Sequence, residues 1–107
     1  MFTKGSDVQS RDVVPGITMK TTVFGDTMLM TEFHLQKGVR LPVHSHPQEQ
    51  TGYLITGKLI LTIDDREFTT IPGDSWNIPG DVMHCAVAVE ESVAIEVFSP
   101  VREDYLP

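Results

Sequence analysis

The chain is short of several things, and each shortage narrows what it can do. It has one cysteine, Cys85, so no internal disulfide can form and a disulfide-stapled secreted scaffold is excluded. No apolar run approaches the roughly eighteen residues that a membrane-spanning helix needs. The opening MFTKGSDVQSRDVV lacks the basic start and apolar stretch of a secretory leader, so the expected compartment is the cytoplasm. Basic residues are few. Eight Lys and Arg stand against fifteen Asp and Glu, a net charge of −7. That sign is wrong for gripping a nucleic-acid backbone or an anionic membrane, so neither is expected as a partner. An anionic small substrate would need a local positive charge, from a bound metal or one well-placed arginine. Helical periodicity, internal repeats and low-complexity runs are missing too.

What remains is strand and turn. At 107 residues the chain is expected to form one domain, spanning 1–107. Stretches 20–24, 27–36, 43–46, 51–56, 58–63, 67–71, 75–78, 84–89 and 92–98 read as strands by β-prone composition and alternation. Gly25-Asp26, Lys37-Gly38, Asp64-Asp65, Pro72-Gly73-Asp74, Pro79-Gly80 and Glu90-Glu91 punctuate them. Many short strands so spaced predict an all-β sandwich or barrel over 20–107. Residues 1–19, with Pro15-Gly16, read as an extended N-terminal arm, frayed or paired onto a sheet edge, with a partner subunit the expected place.

Alternation sorts the last two stretches. His84, Ala86 and Ala88 share a face that leaves volume beside the imidazole, while Cys85, Val87 and Val89 share the other. Ala94, Glu96 and Phe98 likewise oppose Val93, Ile95 and Val97. The second face is bulky and apolar, so a homodimer that covers it is expected. Cys85 reads as a buried core thiol.

The richest stretch runs from Gly38 to Gly57, GVRLPVHSHPQEQTGYLITG. His44 and His46 stand two apart in an extended segment, where i and i+2 share a face roughly 6–7 Å apart. Two imidazoles so placed can meet one ion at about 2.0–2.1 Å from each nitrogen. A pair alone is also an ordinary surface feature; a third imidazole, His84, raises the metal reading. His34 shares parity with Met28, Met30 and Glu32 on its strand, nothing pairs it with the other histidines, and it reads as a surface or rim residue.

The frame around these residues resembles the cupin superfamily. Gly38, His44, His46, Gln50 and Gly57 match the spacing of its first motif, and Gly73, Pro79 and His84 match its second. The pattern usually has Glu at the position of Gln50, Gly at Asp81 and Asn at Ala88. The resemblance implies a small jelly-roll barrel holding one divalent ion in its mouth, with His44, His46 and His84 as ligands. For the fourth ligand, electrostatics favours the carboxylate of Glu49. Spacing and parity favour Gln50, which is the expected fourth ligand. A fully neutral ligand set leaves the ion's charge undiminished, suits nickel, zinc, manganese or iron, and disfavours calcium.

His44-Ser45-His46-Pro47 with Glu49-Gln50 and Gly52-Tyr53, and the ending from Glu96 to Leu106, further resemble the KdgF-like cupins of pectin and alginate breakdown. That likeness implies opening of 4,5-unsaturated monouronates to linear 4-deoxy-5-keto uronates. It implies Glu96, Phe98 and Arg102 as the residues needed for activity, although Asp is usual where Glu96 stands. On this reading Glu96 relays a proton and Arg102 forks onto the substrate carboxylate. Phe98, Trp76 and Tyr53 wall a small anionic sugar. Competing readings are a structural Glu96–Arg102 pair locking the tail, a metal-dependent oxygenase or isomerase on another small molecule, and a non-enzymatic metal- or sugar-binding cupin.

Overall fold

Alternation is realised in eight strands: β1 (Arg11–Val14), β2 (Ile17–Phe24), β3 (Leu29–Leu35), β4 (Arg40–His44), β5 (Glu49–Ile63), β6 (Arg66–Thr70), β7 (Ser75–Ile78) and β8 (His84–Ser99). Short 3₁₀ turns at Gly5–Asp7 and Glu103–Tyr105 are the sole helical elements. This computed structural model describes residues 1–107.

The architecture rests on two long strands. β5 and β8 pair antiparallel along their whole length, from Glu49↔Ser99 to Ile63↔His84. The second half of β8 carries β3, β2 and β1 on its far edge, and its first half carries β4. The first half of β5 carries β7 and its second half carries β6. The β5–β8 ribbon therefore belongs to two sheets, and bending it lays one upon the other as a jelly roll. The bend falls at register shifts between Leu54 and Leu59. There Gly57 has φ +95°, and a Cβ on it would collide with Ser92 Oγ and the Glu91 carbonyl. Only glycine accepts both the left-handed backbone and that approach. Ser92, fully buried, accepts from the Lys58 N–H at 3.0 Å and donates to the Glu90 carbonyl at 2.8 Å.

Alternation sends Leu29, Phe33, Leu35, Leu54, Leu59, Leu61, Ala86, Ala88, Ala94 and Phe98 to the shared interior. Three sequence expectations change here. Stretches 51–56 and 58–63 are one bent strand, as are 84–89 and 92–98, because Gly57 and Glu90-Glu91 mark bends and not chain reversals. The N-terminal arm is held within its own chain. β1 pairs with β2 around Pro15-Gly16, and Ile17 and Met19 are fully buried, so the boundary at residue 19 cuts a core strand. Cys85 does lie opposite His84's face, yet it is half-buried and not enclosed. No helix is long and apolar enough to cross a membrane.

Candidate metal centre and active site

Bending the ribbon brings chemistry from distant stretches to one end of the interior. His44 closes β4 directly across from His84, which opens β8, and their ring centroids lie 4.1 Å apart. His46 is not on a strand as the spacing predicted. It lies in the loop after β4, where its carbonyl accepts from the Asp81 N–H at 2.8 Å. Gln50, at the start of β5, is buried beside it.

The three imidazoles are oriented alike. Nδ1–H of His44 donates to the Pro42 carbonyl at 2.7 Å, that of His46 to Gln48 at 3.0 Å, and that of His84 to Val82 at 2.8 Å. Each backbone acceptor fixes the tautomer and turns a free Nε2 lone pair inward. One ligating atom from each of the three rings lies within 4.8 Å of the other two. Burial is the main cause that lowers the pKa of His46, with the Arg102 charge next, and burial likewise drives His84 down to about 4. Both are thus neutral near pH 7, the form that binds metal.

Two details test whether a cation fits. His84 Nε2 is buried without any hydrogen-bond partner. His46, its one ring proton spent on Gln48, sets a bare Nε2 2.9 Å from Gln50 Oε1. Two acceptors facing each other beside an orphaned third are unfavourable in a dry site, and a cation resolves all of them. Three imidazoles and an amide oxygen suit a borderline first-row divalent ion. Glu49 faces outward, its carboxylate accepting from Asn77 Nδ2 at 3.0 Å, and so stands apart from this set.

Glu96 lies on the inner face of β8, 9 % exposed. The Trp76 indole N–H donates to its two carboxylate oxygens at 3.2 and 3.3 Å, and the Gln50 amide donates as well. Those donors favour the charged form, yet burial outweighs them and pushes the carboxyl up to about 8. Near neutrality Glu96 is a proton-bearing acid.

Phe98, fully buried, packs 5.5 Å from the His46 ring and 5.5 Å from Tyr105. The Arg102 guanidinium lies 3.8 Å above the Tyr105 ring centroid and 5.2 Å from that of Phe98. It forks onto Asp104, Nη2 to Oδ2 at 2.8 Å and Nε to Oδ1 at 3.3 Å. The structural Glu96–Arg102 pair is therefore not formed; Asp104 takes the arginine and Trp76 the acid. Tyr53 does not reach the site either. Gln50, Gly52 and Leu54 turn inward along β5, so Tyr53 faces out, 47 % exposed. His34 pairs with Glu32 at 2.6 Å on the outer face of β3.

The open volume amid these groups is small, about 40 Å³, lined by His44, Gln50, Trp76, His84, Glu96, Phe98, Arg102 and Tyr105 together with apolar core residues. A larger hollow of about 430 Å³ lies between the N-terminal segment and the chain's end, but its polar residues do not converge on any point with the imidazoles. Asp104 and Tyr105 are the site residues that sequence reasoning missed. The available signal was an acid two residues and an aromatic three residues beyond the arginine.

Comparison with known proteins supports the same reading. The cupin domain model matches residues 31–99. The pectin degradation protein KdgF of Dickeya dadantii is 32% identical over 93 residues, 85% of this chain and 84% of that protein. The structure of KdgF from Halomonas sp. superposes with a TM-score of 0.93 at 30% identity, covering 99% of this chain and 98% of that one. An RmlC-like cupin from Shewanella frigidimarina superposes equally well, TM-score 0.93 at 28% identity over 98% and 95% of the two chains. Fold, family match and full-length likeness agree: this chain belongs to the cupin family, among the small cupins similar to KdgF.

Proposed function

We propose that this protein opens the ring of 4,5-unsaturated monouronates to give linear 4-deoxy-5-keto uronates. One observation carries the reading. A cluster of metal-type ligands, a buried carboxyl and an arginine meet at one small, largely apolar cavity. The likeness to two KdgF proteins, one described as a pectin degradation protein, supplies the substrate class.

The substrate is an enol ether conjugated to a carboxylate, closed on itself as a hemiacetal. Opening adds nothing. The bond from the anomeric carbon to the ring oxygen breaks, the anomeric hydroxyl loses its proton, C4 gains one, and C5 becomes a ketone. One group must supply the proton to C4 and take the one that the anomeric hydroxyl loses. Glu96 is suited to both in that order, since burial raises its carboxyl to about 8, close enough to neutrality to give up a proton and take one back. Arg102 takes the substrate carboxylate by a two-pronged contact, exchanging the Asp104 carboxylate for it. Phe98 and Tyr105 flank the arginine and keep water from the ring. His44, His46, His84 and Gln50 would hold a divalent transition ion, which when bound would supply Lewis acidity toward an anionic oxygen.

The test follows the ultraviolet band of the conjugated enol ether in 4,5-unsaturated galacturonate with metal-loaded protein. Decay faster than the spontaneous rate, without oxygen uptake, is expected; an unchanged rate overturns the reading. Glu96→Ala and Arg102→Ala are each expected to abolish turnover with metal still bound. A homodimer covering the half-buried outer face of β8, with Val87, Ile95 and Val97, belongs to the same proposal. Sedimentation giving a monomer at micromolar concentration overturns that part.

A further inference from the structure

The mechanism leaves one arrangement unused. Thr31 in β3, Glu96 in β8, Gly52 in β5 and Trp76 in β7 stand in one register across four adjacent strands. All four turn to the buried interior. Thr31 Oγ1 donates to the Glu96 carbonyl at 2.9 Å, which fixes the backbone from which the carboxyl projects. Strands are spaced about 4.8 Å apart, so Trp76 and Glu96 are two strand spacings apart and must reach over β5 to touch. They do touch, through the indole N–H.

The contact exists because residue 52 has no side chain. A Cβ there would stand inside contact distance of Trp76 Nε1, Trp76 Cε2 and Glu96 Oε2 together. Gly52 is not among the glycines of positive φ, so backbone freedom is not why glycine is there. Sterics alone require it. A tryptophan placed as a wall for a sugar would present its ring face to the cavity. Here the polar edge of the ring is spent on the acid.

We propose that Trp76 is a positioning residue, which holds the Glu96 carboxyl in place through its indole N–H across the gap that Gly52 leaves. Its kinetic consequence rests on the ring-opening reading; its geometry does not. The sugar-wall role expected of Trp76 from sequence predicts that Phe replaces it well, whereas a positioning role requires the N–H. In metal-loaded Trp76→Phe, kcat is expected to fall about tenfold or more with KM within about twofold, the size of effect that loss of one hydrogen bond to an acid produces. Metal stoichiometry is expected to stay unchanged.

A second measurement needs no turnover. Trp76 is the one tryptophan of the chain, so ¹⁵N labelling gives a single indole N–H resonance. Its hydrogen exchange is expected to be slow in the parent protein, to accelerate at least about tenfold in Glu96→Ala, and to stay slow in Arg102→Ala. Gly52→Ala is expected to shift that resonance and speed its exchange. If Trp76→Phe keeps full kcat, or if indole exchange ignores Glu96→Ala, the positioning role is wrong. If the parent protein turns over no uronate while the indole still responds to Glu96→Ala, the ring-opening reading falls and the positioning role stands.

Discussion

At Glu96 and His84 burial works in opposite senses, and the stability of the metal-free protein should record both. The Glu96 carboxyl is raised from 4.5 to about 8 on folding, so across that window the folded chain keeps a proton that the unfolded chain has lost. Stability therefore falls as pH rises through it. His84 is lowered from 6.5 to about 4, so between those values the unfolded chain takes the proton first and stability falls as pH drops. The two slopes oppose each other where the windows overlap, and above the ordinary histidine range Glu96 acts alone of the pair. Urea denaturation of metal-free protein at several pH values up to 8 is expected to show a Glu96 contribution of up to about 1.4 kcal/mol lost per pH unit. Glu96→Gln should remove that part of the slope, and an unchanged slope would show that the carboxyl is not raised. Gln50 poses a second question at this scale, because its amide serves two neighbours, the oxygen toward His46 Nε2 and the N–H₂ toward Glu96. A carboxylate there attracts a cation better but donates nothing and sets a charge beside the acid. Gln50→Glu is expected to bind metal about tenfold or more tightly and to turn over about tenfold or more slowly. Chelator competition and the ultraviolet assay read the two effects separately.

Among the elements, the bent β5–β8 ribbon decides whether the site exists, since it carries Gln50 at one end and His84 at the other. The inner faces of its halves were legible from alternation alone: Leu59 with Leu61, His84 with Ala86 and Ala88, Glu96 with Phe98. Parity survives whether a chain bends or reverses, which is why the faces were readable and the continuity was not. The difference lies in contacts distant in sequence, Lys58 with Ser92 and Gly57 with Glu91, that no local pattern encodes. Gly57→Ala combines a left-handed backbone with a collision in a packed bend. It is expected to cost about 2–5 kcal/mol in urea denaturation. Metal affinity should weaken in the same variant, since the ribbon's ends would no longer meet. A loss below about 1 kcal/mol would mean that the bend relaxes around a methyl group.

Across the whole molecule, the ends of the chain close the site that its middle builds. Arg11 Nη2 donates to the Asp104 carbonyl at 2.6 Å, and Thr21 Oγ1 donates to that of Tyr105, so β1 and β2 tie down the turn that clamps Arg102. The imidazoles were legible because their spacing lies within short stretches and a known motif frame. Asp104 and Tyr105 were not, because their importance arises only when the tail folds back over Phe98 and against the N-terminal strands. The outward direction of Tyr53 was legible as well, since its parity is opposite to that of Gln50. The ion would act at this largest scale as well. The four residues that would hold it, three imidazoles and Gln50, come from the end of β4, the loop after it, and the starts of β5 and β8, and span residues 44 to 84. A cation bound only by the folded chain stabilises it by about 2.7 kcal/mol at a hundredfold excess over Kd. At about 4–8 °C per kcal/mol for a chain this size, loading nickel, zinc, manganese or iron into stripped protein should raise Tm by roughly 10–20 °C. A chelator should reverse the rise. His84→Ala, which removes a ligand without touching the ribbon's bend, should abolish the increment while leaving a cooperative metal-free transition. A Tm that ignores every one of these ions would show that the three imidazoles and Gln50 hold none of them in the folded protein.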